Sequence, residues 1–130
     1  MSEELLINVT PQETRVAYVE NGMLQEVHIE RARKRGLVGN IYRGKVSRVL
    51  PGMQAAFIDM GLERTAFLHV SDIAVRGDDN GEKNSQTIME LLREGQEVIA
   101  QVIKDPMGSK GARLTTQLSI PSRYLVYMPG

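Results

Sequence analysis

The dipeptide Asn21-Gly22 stands between two runs rich in β-branched and apolar residues, Thr14 to Glu20 and Met23 to Ile29. Both residues tolerate the positive φ angles of a two-residue type I′ turn, so the pair fixes a β-hairpin. Upstream, Glu4 to Val9 forms another short strand and Thr10 to Glu13, with Pro11, its turn. The opening of the chain is therefore read as a three-stranded meander. Three short strands cannot enclose a core, so their apolar faces need something else to pack on. The meander reads as part of a larger unit with open edges. Residues Leu5 to Ile29 are expected to pair with a second copy or to stay mobile, which makes self-association through the amino-terminal strands a candidate property.

The segment Glu30 to Gly36, with Arg31, Arg33, Lys34 and Arg35, reads as a polar connector. A new series of strands follows: Asn40 to Leu50, Gln54 to Met60 after a Pro51-Gly52 turn, and Thr65 to Val70 after Gly61. The hydrophilic stretch Val75 to Gln86 is expected to be the most mobile loop. Thr87 and Glu90 have capping-box spacing for a helix of about two turns, with Gly95 placed to end it. Two last strands, Glu97 to Lys104 and Ala112 to Leu118, flank a turn from Asp105 to Gly111. The fold class is mainly β: five strands with a short helix before the fourth predict a small closed barrel of the OB type.

Composition narrows the chemistry. The chain has no cysteine and only His28 and His69, which excludes a disulfide framework and disfavours a thiolate or histidine metal centre. No apolar run approaches the roughly 18 residues of a membrane span, and the first residues lack the pattern of a signal peptide, so the expected address is the cytoplasm. Sixteen basic residues balance sixteen acidic ones, but unevenly. From Arg31 to Arg48 there are seven basic residues and no acidic one, and from Val98 onwards Lys104, Lys110, Arg113 and Arg123 face only Asp105. Such segregation gives a neutral protein either a positive face for polyanions or simply solvated surface.

Strand phases favour the first alternative. In Thr65 to Ser71 the apolar phase is Ala66, Leu68 and Val70, which sends Phe67, His69 and Ser71 outward. In Gln54 to Met60, Ile58 and Met60 take one phase and Phe57 the other, with Asp59. The only two phenylalanines of the chain are thus both assigned to the outer face. Exposed rings leave apolar area wet, whereas stacking on a nucleic-acid base is worth roughly 1–3 kcal/mol and tolerates any sequence. His69 offers a third planar surface, and Lys45, Lys104, Lys110 and Arg113 lie where they could follow a phosphate backbone. Single-stranded RNA is the favoured ligand; a hydrophobic minicluster around one ring is the plainer alternative.

No catalytic signature is found within the chain. Gly108 to Gly111 has the residue types of a phosphate loop without its spacing, no His-Glu-x-x-His helix or nucleophile triad occurs, and Asp59 and Asp72 read as turn caps rather than magnesium ligands. The sequence offers binding chemistry rather than bond cleavage.

The run "GNIYRGKVSRVLPGMQAAFIDMGLERTAFLHVSDI" from Gly39 to Ile73, with "LLREGQEVIAQVIKDPMGSKGARLTT" after it, resembles the S-one (S1) RNA-binding domain, an OB module. With "ELLINVTPQETRVAYVENGMLQEVHIER" ahead of it and "LTTQLSIPSRYLVYMPG" behind it, the whole chain is similar to the bacterial ribonuclease E/G family. The resemblance implies a domain plan of 1–35 as part of a ribonuclease-H-like subdomain, 36–119 as the inserted barrel, and 120–130 as the start of a 5′-sensing segment. It implies that Phe57, Phe67 and Lys110 hold single-stranded RNA, and that Ser122 to Val126 edges a pocket for a 5′-monophosphate. It also implies a parent endoribonuclease that cuts AU-rich single-stranded RNA in messenger decay and ribosomal RNA maturation. The magnesium ligands of such an enzyme would lie beyond Gly130, leaving these residues to bind RNA without cutting it. A stand-alone RNA-tethering module and an OB barrel used for protein interaction or oligomerisation are the competing readings.

Overall fold

The computed structural model describes residues 1–74 and 86–130, in two compact units, Met1–Gly36 and Leu37–Gly130. The stretch expected as a mobile loop falls almost wholly in 75–85, outside the described residues.

The first unit is an antiparallel meander of β1 (Glu3–Val9), β2 (Glu13–Glu20) and β3 (Met23–Arg31). Asn21 and Gly22 adopt φ values of 50° and 77°, the two positive angles that a type I′ turn needs. β3 runs on through Glu30 and Arg31, which the sequence reading placed in a polar connector; only a 3-10 turn, Ala32–Lys34, follows. The extension is held by Thr14 pairing with Glu30 and Glu13 with Arg31, where the Glu13 carboxylate lies 3.6 Å from the arginine. Register places Leu5, Ile7, Val16 and Tyr18 on one face and Leu6, Ala17, Val27 and Ile29 on the other. Both faces carry apolar side chains, and no residue of this unit is buried.

The second unit is a closed five-stranded barrel, with β4 (Ile41–Leu50), β5 (Ala55–Asp59), β6 (Ala66–His69), β7 (Glu97–Lys104) and β8 (Arg113–Thr115) in the order β4-β5-β6-β8-β7. All neighbours are antiparallel except β6 and β8. Val46, Ile58, Leu68, Ala100, Val102 and Leu114 point inward, one set from each strand, and are essentially inaccessible. At Gly44 a side chain would meet the Ile58 side chain, so glycine lets β4 cross close over the core.

A single helical turn, α1 (Ile88–Leu91), follows Thr87 and adds buried Ile88 to the core. Thr87 and Glu90 form the anticipated capping box, and Gln54 accepts from the Ile88 N–H at 3.0 Å, tying the helix to the start of β5. The helix is half the expected length. Leu92 turns extended so that its side chain enters the core, and Gly95 (φ 83°) serves the Arg93–Gln96 turn instead of the helix end. β8 is also shorter than the Ala112 to Leu118 strand read from sequence. Beyond Thr115 the chain leaves the ladder, because the Thr115 hydroxyl and the Thr116 N–H both donate to the Asp72 carbonyl, at 3.0 and 2.9 Å. A small hairpin of β9 (Ile120–Pro121) and β10 (Val126–Tyr127) completes the described chain. No helix among the described residues is long and apolar enough to cross a membrane.

Candidate nucleic-acid interface

β5 and β6 follow the alternation read from their sequences. Ala56, Ile58, Ala66 and Leu68 are fully buried, while Phe57, Phe67 and His69 lie on the opposite phase, half-buried and outside the core cluster. Ala55 is an exception, buried although it shares the phase of Phe57. Phe57 and Phe67 are direct cross-strand partners, their ring centroids 6.4 Å apart and their planes inclined at 63°. His69 continues the surface, 6.5 Å from Phe67 and tilted 30° from it. Its Nδ1 lies 2.8 Å from the Ser71 hydroxyl and accepts from the Ser71 N–H at 3.2 Å, which leaves Nε2 free to face a ligand.

Beside the rings runs an open groove of about 910 Å³. Phe57 and Phe67 meet Lys104, Lys110 and Arg113 there, with Met53, Arg64 and Met107 along its walls. The turn after β7 supplies Lys110. Met107 and Lys110 exchange backbone hydrogen bonds of 3.1 and 2.9 Å, and Gly108 takes φ 55° at the tip. Gly111 then passes so close to β6 that a Cβ would collide with the Thr65 carbonyl oxygen, and the Phe67 N–H donates to the Ala112 carbonyl at 2.8 Å. That close passage brings Lys110 into the same groove as Phe67.

Two of the anticipated cations stand differently. Lys45 lies outside the groove, in register with Asp59 on β5 and Glu97 on β7. Arg113 does line the groove, but its Nε and a terminal nitrogen donate to the Asp72 carboxylate at 3.1 and 2.9 Å. Asp72 is thus an arginine partner rather than a turn cap by its side chain, whereas Asp59 caps the turn at Gly61, accepting from its N–H at 2.9 Å. Ser122 and Val126 sit on the β9–β10 hairpin, where the Ser122 N–H donates to the Leu125 carbonyl at 2.7 Å; neither lines the groove. Sequence reasoning missed Arg64, because a loop residue between Gly61 and Thr65 has no strand phase to place it.

Residues 37–116 match the family model described as S1 RNA binding domain, a span that covers β4 to β8 and α1. The chain belongs to the S1 RNA binding domain family. Similarity extends past the S1 barrel in both directions. Ribonuclease G of Salmonella typhimurium (strain SL1344) is 62% identical over 135 aligned positions, spanning 100% of this chain and 28% of the relative. Ribonuclease G of Escherichia coli (strain K12) is 61% identical with the same coverage. Ribonuclease E of Escherichia coli (strain K12) is 43% identical over 98% of this chain and 12% of the relative. The aligned span therefore includes the meander and the β9–β10 hairpin as well as the S1 barrel. The chain spans only about a quarter of the ribonuclease G sequences it matches, 28% of their length.

Proposed function

We propose that this chain is the single-stranded-RNA-binding region of a ribonuclease-G-like endoribonuclease, and that Phe57 and Phe67 are its base platform. The observation that carries the reading is the pair of opposed rings on the outer face of the barrel, beside a groove holding Lys104 and Lys110. Rings inclined at 63° cannot each stack on one of two successive bases while those bases stay parallel to one another. The ligand's bases must be splayed, as an unpaired strand permits and a duplex does not. His69 Nε2 then donates to a phosphate or 2′-hydroxyl, Lys104 and Lys110 neutralise phosphates, and Arg113 does so under the restraint of Asp72. Lys45 contributes only to the general field.

Replacing Phe57 or Phe67 with alanine is expected to weaken binding of a short single-stranded RNA by roughly 1–3 kcal/mol. Superimposable titration curves for both variants and the parent chain would refute the platform. The competing protein-interaction reading separates by salt: phosphate contacts give a steep log-log loss of affinity, and a protein-contact module gives none. A stand-alone RNA tether is disfavoured by the likeness to ribonucleases over the whole of this chain, which includes strands the barrel does not use.

The proposal extends to the parent enzyme: cleavage of AU-rich single-stranded RNA in the cytoplasm, in messenger decay and ribosomal RNA maturation, with Ser122 and Val126 at the edge of a 5′-monophosphate sensor. Magnesium chemistry belongs to other parts of that protein. Among the described residues no group of three His, Asp or Glu side chains is arranged to hold a metal ion, and Asp59 and Asp72 are committed to a turn and to Arg113. This region is expected to bind RNA without cleaving it. The meander, apolar on both faces and open at β1 and β3, supports self-association of the chain in isolation; light scattering of a strict monomer would contradict this.

A further inference from the structure

The barrel register lines up five side chains from five strands. Phe57 lies opposite Arg48 on β4 and Phe67 on β6; Phe67 pairs with Arg113 on β8, and Arg113 with Lys104 on β7. Residues in register project to the same side of a sheet. Arg48, Phe57, Phe67, Arg113 and Lys104 therefore form one row across the outer surface, aromatic in the middle and basic at both ends. With strands spaced about 4.8 Å apart, the row is about 19 Å long.

Both ends reach the surface through a break in alternation. Val46 and Val102 are core residues, and strict period two would carry Arg48 and Lys104 inward with them. The register shifts between Val46 and Arg48 and again between Val102 and Lys104, inserting one extra residue and reversing the phase. Both cations are exposed as a result. Among the described residues, neither Arg48 nor Lys104 makes an ion pair, whereas Arg43 on β4 is paired with Glu97; Lys45 lies outside the row. Arg48 lies just past the groove that Phe57 helps to line, on the side away from Lys110. A basic end beyond the last ring extends the site to a phosphate the groove itself does not reach.

We propose that Arg48 is a phosphate-binding residue of this interface. In this arrangement an RNA strand runs across the barrel strands along the row, its bases on Phe57 and Phe67, with flanking phosphates on Arg48 at one end and on Lys104 and Lys110 at the other. The inference rests on the single-stranded-RNA reading above, and adds to it a contact and a path.

The test is fluorescence anisotropy of a labelled short oligouridylate titrated with the full chain at several potassium chloride concentrations. Arg48→Ala is expected to raise Kd about three- to tenfold at low salt and to lower the log-log salt slope by about 0.7, the contribution of one phosphate contact on a single strand. Arg48→Lys should retain most of the slope. Lys45→Ala, which removes an equal charge from the same strand outside the row, should change Kd less than about twofold. Melting curves matching the parent chain verify that each variant is folded. An unchanged Kd and slope for Arg48→Ala, or an equal loss for Lys45→Ala, overturns the assignment. If Phe57→Ala weakens binding while Arg48→Ala does not, Arg48 alone is refuted. If the parent chain fails to bind or Phe57→Ala binds like it, the RNA reading falls and the inference with it.

Discussion

The two units solve the same β-sheet problem differently. The barrel closes its sheet on itself and has an interior, where Ile58, Leu68, Val102 and Leu114 lose essentially all contact with solvent. The meander has the same apolar richness, yet Leu5, Ile7 and Val9 remain more than half exposed because three open strands have no inside. Closure also frees the barrel's outer face for other uses. Once Ala66 and Leu68 secure β6, Phe67 between them can face solvent with limited loss of stability. Apolar exposure thus carries different meanings in the two units: on β5 and β6 of the barrel it is two half-buried rings in a cationic setting, and on β1 and β3 of the meander it is most of the apolar side chains of each strand.

The contrast breaks most readily at the core. Leu68→Ala is expected to lower stability by about 2–5 kcal/mol in chemical denaturation, because the vacated space lies inside a closed shell. A loss below 1 kcal/mol would mean the barrel is not tightly packed. Gly111→Ala drives a methyl group toward the Thr65 carbonyl, and overpacking of this kind is worth about 1–3 kcal/mol of lost stability. The same variant should weaken RNA binding by displacing Lys110, a coupling that titration and melting together would reveal. Phe67→Ala should remove about 1–3 kcal/mol of RNA affinity while leaving stability less affected than Leu68→Ala does. Equal damage to folding by both would place Phe67 in the scaffold instead. Ile7→Ala in the meander should shift the unfolding midpoint by no more than about 0.5 kcal/mol equivalent, as an exposed position allows.

Period-two patterning makes the central features legible in the sequence. Asn21-Gly22 specified its turn, and the phases of Gln54 to Met60 and Thr65 to Ser71 separated Phe57 and Phe67 from Ile58 and Leu68. The same rule failed wherever alternation is interrupted. The bulge after Val46 reverses the phase of Arg48, and a single strand gives no sign of where an extra residue will be accommodated. The cross-strand neighbours of Lys45, Asp59 and Glu97, are distant from it in sequence, so no single strand shows its setting. Arg113 lies 41 residues from Asp72, so their pairing depends on tertiary geometry alone. Helix α1 is shorter than its sequence suggests because the capping box marks only a start, whereas its end is set by Leu92 entering the core.

The direct measurement is an NMR titration of the chain with a short uridine-rich RNA, following backbone amides and aromatic side chains. The account predicts that shifts concentrate on Phe57, Phe67, His69 and the Lys104 to Arg113 segment, with β1 to β3 unmoved. Shifts confined to the meander or the β9–β10 hairpin, with both phenylalanine rings unperturbed at saturating RNA, would contradict it.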